Sequence, residues 1–329
     1  MTAIRRLSWA ALTVACLHLV FGAIVRITGS GMGCGDNWPK CYGHWFPPLD
    51  RPDLIVEVSH RYLASILVIA VCSLAFVAWR RRAEPGVAGP GGPMRSAFGA
   101  VAAVFAAAIL GGVTVKLGNA PSATVAHWIV AMTLLGLVAT TAIRAGALGG
   151  GTARTQHGTT ATARAAFAAA GLAFLAVAMG GLTANYPGAP IGCLRFPLCG
   201  ANPAVAWGAT VVQVAHRGVA FGLILYLGIM VLVTTARRAD EAPIVVRAAR
   251  IAFGLSLLQV LIAGAMIGLH LPATLRSLHE AAGVAIWLGC FAFAYLARRA
   301  TPRRDRAATS APELAIPAPR VTQSRASVR

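Results

Sequence analysis

Apolar residues dominate the chain in long runs, separated by short stretches where arginine, glycine and proline gather. Each run is close to the roughly 20 residues that a helix needs to cross a hydrocarbon core of about 30 Å. Eight such runs stand out, over 7–27, 57–79, 96–115, 124–143, 165–182, 209–235, 248–269 and 275–296, taken in order as spans one to eight. The pattern predicts an all-α integral membrane protein. The first run follows a short basic start, as a secretory signal would, but it lacks a small-residue cleavage site and further spans follow, so it counts as span one. The stretch 301–329 is rich in Pro, Ala, Ser and Arg and is expected to be a disordered cytoplasmic tail.

Composition agrees: 57% of residues are hydrophobic and 12% charged, too apolar for an ordinary soluble domain. A net charge of +19 would suit a nucleic-acid binder, were the basic residues on one surface. Instead they fall in particular connections. Arg5 and Arg6, Arg80 to Arg82 with Arg95, Arg144 with Arg154 and Arg164, Arg237 and Arg238 with Arg247, and the Arg-rich tail alternate with connections holding only Lys40, Arg51, Lys116, Arg195 and Arg276. The positive-inside rule then puts both termini in the cytoplasm and the connections after spans one, three, five and seven outside. No nucleic-acid partner is expected; the bilayer itself is the partner.

Distinctive residues recur in the same order in the two halves. Glu57-Val-Ser-His60-Arg61 answers to Gln213-Val-Ala-His216-Arg217, Cys34 and Cys41 to Cys193 and Cys199, and His127 to His279. A duplicated membrane chain can be a transporter with substrate at the repeat interface. Four-helix units, each with its own two histidines, suit a cofactor bundle better. The expected halves are 1–150 and 151–300.

An ionisable residue within a membrane helix is costly and marks function by default. His60, His127, His216 and His279 all lie near the outer end of an even span, so each half offers two imidazoles at one depth, a set suited to axial ligation of haem iron. Arg61 and Arg217 directly follow a ligand candidate, where a guanidinium can pair with haem propionates or snorkel to headgroups. Glu57 lies on nearly the same helical face as His60. Its counterpart Gln213 keeps the shape but lacks the charge. This asymmetry makes the N-terminal half the candidate for chemistry and the C-terminal half the candidate electron store.

Cys34 with Cys41, and Cys193 with Cys199, fall in connections assigned to the outside, where disulfides persist. Structural bridges closing a short loop and redox-active thiols both remain open; neither pair has the spacing of a zinc knuckle. Cys16, Cys72 and Cys290 read as small apolar residues. His18 reads as a lone intramembrane histidine with a structural partner, His44 and His270 as outer-loop residues near propionates, and His157 as cytoplasmic. Glu280 points away from His279 and is expected to find a partner on another helix.

The segment Arg26-Ile-Thr-Gly-Ser-Gly-Met-Gly-Cys34, then Asp36-Asn-Trp-Pro-Lys-Cys41 and Glu57-Val-Ser-His60-Arg61, with the second set of Cys, His-Arg and His, resembles the haem A synthase family. The resemblance covers essentially 1–300. It implies two pseudo-symmetric four-helix bundles in a bacterial cell membrane, with the cysteine loops and haem sites toward the outer face. It further implies a haem O substrate held by His60 and His127, a haem b cofactor held by His216 and His279, and Glu57 as the catalytic carboxylate. The implied reaction oxidises a porphyrin methyl to a formyl group through hydroxymethyl and hydrated-aldehyde stages, delivering electrons to an unidentified membrane acceptor. The implied setting is cytochrome oxidase assembly, beside a haem O synthase. The rival reading is a di-haem b-type cytochrome moving electrons from quinol to another acceptor, which explains the four histidines but neither Glu57 opposite Gln213 nor the paired cysteines.

Overall fold

The computed structural model of the chain describes residues 1–301, so the expected tail lies outside the described residues apart from Thr301. Among the described residues are nine α-helices: α1 (Thr2–Ile27), α2 (Pro52–Arg80), α3 (Met94–Lys116), α4 (Pro121–Arg144), α5 (Gly150–Thr155), α6 (Thr160–Asn185), α7 (Trp207–Ala236), α8 (Pro243–Gly268) and α9 (Ala273–Ala300). All except the short α5 are long and apolar enough to cross a membrane, as the eight expected spans require. The helices outrun the apolar stretches because end signals extend them. Pro52, Pro121 and Pro243 sit in the first turns of α2, α4 and α8, where no N–H is needed for the helix. The Thr159 hydroxyl accepts from the Thr162 N–H at 3.2 Å and starts α6 ahead of its apolar run.

Consecutive helices pack as two rings. In the first, α1, α2, α3 and α4 neighbour one another in order and α4 returns to α1; in the second, α6, α7, α8 and α9 do the same and α9 returns to α6. The rings meet along α4 with α9, flanked by α1 with α9 and α4 with α6. Those flanking contacts exchange under the repeat, as a pseudo-two-fold axis requires.

Small residues make the approach close: Ala163, Ala166, Ala170 and Ala173 are buried on one face of α6. Bulk fills the seam from the other side, with Phe174 edge-on to Trp287 at 5.2 Å and the Trp287 indole N–H donating to the Met132 carbonyl at 3.1 Å. Large side chains also face outward, among them Leu17, Ile69, Ile109, Leu225, Leu232 and Leu261. A belt of that kind is costly in water and at home in lipid.

The two ends of the bundle differ. One carries the connections after α1, α3, α6 and α8, including both cysteine loops. At the other, Arg144 donates to the Gly92 carbonyl at 3.1 Å and to the Tyr295 hydroxyl, Arg299 donates to the Gly150 carbonyl at 2.8 Å, and the Thr159 and Thr162 hydroxyls donate to Glu241. This end is latched by side chains that lie far apart in sequence.

Candidate functional site

Each cysteine loop is folded onto the helix that follows it. Cys34 is joined to Cys41 and Cys193 to Cys199. Arg61, in the third turn of α2, donates to the Asn37 and Pro39 carbonyls, each at 2.9 Å. Arg217 on α7 repeats the arrangement with the carbonyls of Arg195 at 2.6 Å and Pro197 at 3.2 Å. Of the two arginines that the sequence offered to propionates, Arg61 thus commits both terminal nitrogens to its loop and Glu57, whereas Arg217 commits only Nη1. Arg217 Nη2 is buried without a partner. The loops carry an aromatic residue inward at matching places: Trp38 lies over Gly112 of α3 and Phe196 over Gly264 of α8, each at 3.3 to 3.4 Å from where a Cβ would stand.

Beneath the loops a single cavity of about 650 Å³ runs through both rings. His60, His127, His216 and His279 all line it. Three of them sit against glycine. The Cε1 atoms of His60 and His216 lie 3.1 Å from where a Cβ would stand on Gly22 of α1 and Gly180 of α6, and that of His127 lies 3.3 Å from the same point on Gly111 of α3. His279 instead meets Gln259 of α8, whose amide nitrogen is 3.3 Å from its Nε2 and 2.9 Å from its carbonyl oxygen.

The Nδ1 atoms of all four are shut away from solvent, those of His127 and His216 turned toward the backbone of Ala107 and Ala176, one turn before the glycines that seat them. Paired imidazoles lining a largely apolar cavity, seated where only glycine leaves room, fit the axial ligation of haem.

Glu57 is buried, 3% exposed, at the wall of this cavity. One carboxylate oxygen accepts the Cys34 N–H at 2.8 Å and the other accepts from Arg61. Its face of α2 is as the helical spacing predicts, but its engagement with the disulfide loop was not legible, because that contact depends on how the loop folds back. Gln213 is buried at the equivalent place with its amide oxygen unpartnered. The N-terminal ring therefore has a closed chain from loop to carboxylate to arginine, which the C-terminal ring lacks.

Other sequence candidates fall as follows. His44 is exposed at the cavity edge and His270 is exposed in the α8–α9 turn, while His157 is exposed at the opposite end. Cys16, Cys72 and Cys290 are free thiols within helices. Glu280 pairs with Arg26 of α1, which joins the two rings at the cavity wall. His18 has a ring partner, but it is His60 itself, stacked at 4.2 Å between centroids and 4° between planes. Sequence reasoning also passed over Trp128, whose indole nitrogen is buried without a partner beside Gly181. Its place before the α4 midpoint, next to His127, was the available signal.

The family model for COX15-CtaA, a cytochrome oxidase assembly protein, matches residues 5–291. A heme A synthase of Geobacillus kaustophilus is 48% identical over 79 residues, 23% of this chain and 25% of that protein. A heme A synthase of Alkalihalophilus pseudofirmus is 29% identical over 227 residues, 67% of this chain and 72% of that protein. A protoheme IX farnesyltransferase of Thermus thermophilus is 39% identical over 98 residues, 30% of this chain and 15% of that protein. The chain spans about a quarter of the length of the first curated relatives it matches.

Proposed function

The chain belongs to the cytochrome oxidase assembly protein family of the COX15-CtaA type, and from that membership we propose that it is a haem A synthase, oxidising a methyl group of haem O to a formyl group. The observation that carries the reading is the shared cavity with four imidazoles from two repeated rings. In this reading the N-terminal half, 1–150, takes haem O between His60 and His127, and the C-terminal half, 151–300, keeps haem b between His216 and His279. Bound haem b supplies one-electron redox chemistry.

The protein's own part is positional and electrostatic. His60 and His127 hold the substrate, and the glycines behind the imidazoles set how deep the rings sit. Glu57 is fixed by the Cys34 N–H and, as an ion pair, by Arg61, so its carboxylate stands at the substrate wall without having to reorganise. Methyl to formyl is two successive two-electron oxidations, R–CH3 + H2O → R–CHO + 4 H+ + 4 e−, with the oxygen atom drawn from water and the protons released to water at the loop end. A buried, fixed carboxylate favours each loss of electrons by stabilising the positive charge that develops beside it. The electrons leave to a membrane acceptor. The unpartnered Arg217 Nη2, and Arg276 one turn before His279 on the cavity wall, are the groups offered to propionates; Arg61 is offered through whatever its loop contacts leave free.

Two further assignments rest on this reading. The distribution of arginines supports placing the cysteine loops and haem sites at the outer face of a bacterial cell membrane. The likeness to part of a protoheme IX farnesyltransferase supports a haem O supplier as partner, since farnesylated haem is the substrate named here.

Co-expression of the full chain with a haem O synthase, followed by haem extraction and chromatography, tests the function. Haem A is the expected product. Recovery of haem B and unreacted haem O alone refutes the reading and leaves the di-haem cytochrome.

A further inference from the structure

His18 stands apart from the ligand set. It lies on α1, four residues before Gly22, the glycine that seats His60. In the second ring the glycine that seats His216 is Gly180, and four residues before it stands Ala176. Both Gly22 and Gly180 approach the Cε1 of their histidine at the same 3.1 Å, so the register of α1 on α2 matches that of α6 on α7. The repeat thus puts an imidazole beside His60 where it puts a methyl group beside His216.

The His18 ring is parallel to His60 within 4°, with centroids 4.2 Å apart, and it lines the same cavity. Its Nδ1 is shut off from solvent and has no hydrogen-bond partner. A histidine kept in an apolar helix for structure alone would be expected to spend that nitrogen on a carbonyl or hydroxyl. Here the ring lies flat against a second imidazole and lines the cavity by its remaining edge. A neutral imidazole with a free lone pair is a haem ligand in waiting.

Resting on the haem assignment above, we propose that His18 is an alternative axial ligand for the haem held in the N-terminal ring, exchanging with His60 as that haem enters and leaves. In the exchange one iron–nitrogen bond to His60 breaks and one to His18 forms; no proton and no electron is transferred. The difference between the rings gives this a purpose. A substrate haem has to be admitted and its product released at every turnover, whereas a cofactor haem stays. A second imidazole at the point of departure replaces a bond as it is lost and so lowers the cost of ligand dissociation. Ala176 denies that route to the haem of the second ring.

The test uses purified full-length protein carrying its haems, with haem content and electron paramagnetic resonance as readouts rather than activity. His60→Ala is expected to keep both haems with low-spin, two-imidazole spectra, because His18 takes the vacant position. His216→Ala, with no such neighbour, is expected to lose its haem or turn high-spin, and His18→Ala with His60→Ala together is expected to do the same in the N-terminal ring. A high-spin or lost haem in His60→Ala alone overturns the proposal. His18→Phe, which retains a stacking ring and all four principal ligands, covers the case in which His60→Ala does not fold. It is expected to slow haem transfer from the N-terminal ring to apomyoglobin several-fold while both haems stay low-spin, and an unchanged transfer rate overturns the proposal. If wild-type protein supplied with excess haem binds none in its N-terminal ring, the haem assignment falls and this inference with it; a low-spin wild type beside a high-spin His60→Ala removes only the role of His18.

Discussion

The two rings of this protein share a backbone cradle and differ in a few side chains. In both, a glycine on the first helix seats a histidine on the second, an arginine next to that histidine ties down a disulfide-closed loop, and the loop leans an aromatic ring on a glycine of the third helix. In the N-terminal ring that frame holds Glu57 and His18; in the C-terminal ring it holds Gln213 and Ala176. The fourth-helix histidines differ as well, since His127 rests near Gly111 while His279 is engaged by Gln259. The two rings keep one backbone frame and differ in the side chains that it holds beside the first histidine. A frame that places two imidazoles is costly to assemble, whereas exchanging an amide for a carboxylate leaves the shape almost unchanged.

The sharpest way to break the comparison is to make the rings alike at that point. Glu57→Gln gives both rings an amide. The Cys34 N–H retains an acceptor and Arg61 retains the loop carbonyls, so haem content is expected to hold. Haem A formation is expected to fall by about 100-fold or more, the loss typical of removing one fixed electrostatic contact at a reaction centre. Haem chromatography of the variant beside wild type reads this out. Haem A at the wild-type level would mean that the inequality of the rings lies elsewhere.

The shared frame can be stressed equally on both sides. Gly22→Ala and Gly180→Ala each set a Cβ 3.1 Å from the Cε1 of the facing histidine, tighter than ordinary contact, with the imidazole as the group that must yield. Overpacking of this kind costs about 1 to 2 kcal/mol, or roughly 5- to 30-fold weaker retention of the haem concerned. Haem-to-protein ratios after purification measure it. Matching losses in the two variants sharpen the claim of a common cradle. A loss in only one shows that the rings have diverged in the frame as well.

How far the sequence alone reaches differs between these levels. The eight spans were legible because lipid demands long apolar runs, and the repeat was legible from the spacing of His-Arg pairs and cysteines. The ends of α2 and α6 were set by Pro52 and Thr159, which lie outside the apolar runs. Helical spacing puts Glu57 on the face of His60, but says nothing of the Cys34 N–H, because a loop folding back onto its own helix leaves no periodic trace. The loop carbonyls that Arg61 and Arg217 also hold were not legible for the same reason. His18 read as a satisfied structural residue, because the rotation of α1 against α2 that stacks it on His60 is a property of packing and not of either helix by itself.

The smallest expected effect concerns the seam between the rings, where the comparison also fails locally. At the α1–α9 junction Arg26 pairs with Glu280, while at the counterpart α4–α6 junction Trp128 packs against Gly181 with no charge pair. The paired side chains are 23% and 20% exposed, so solvent screens them in part and each retains some hydration. A double-mutant cycle of Arg26→Gln, Glu280→Gln and both, followed by thermal unfolding in detergent, is expected to give a coupling of about 1 kcal/mol or less. Glu280→Gln is expected to be the more damaging single change, because it leaves Arg26 on the same cavity wall as Arg276 with its own carboxylate partner gone. A coupling of zero would make the two junctions energetically alike, with apolar packing holding both. A coupling well above 1 kcal/mol would instead make the ion pair a true clamp on one side only, and the rings would then be expected to part first along α4 and α6.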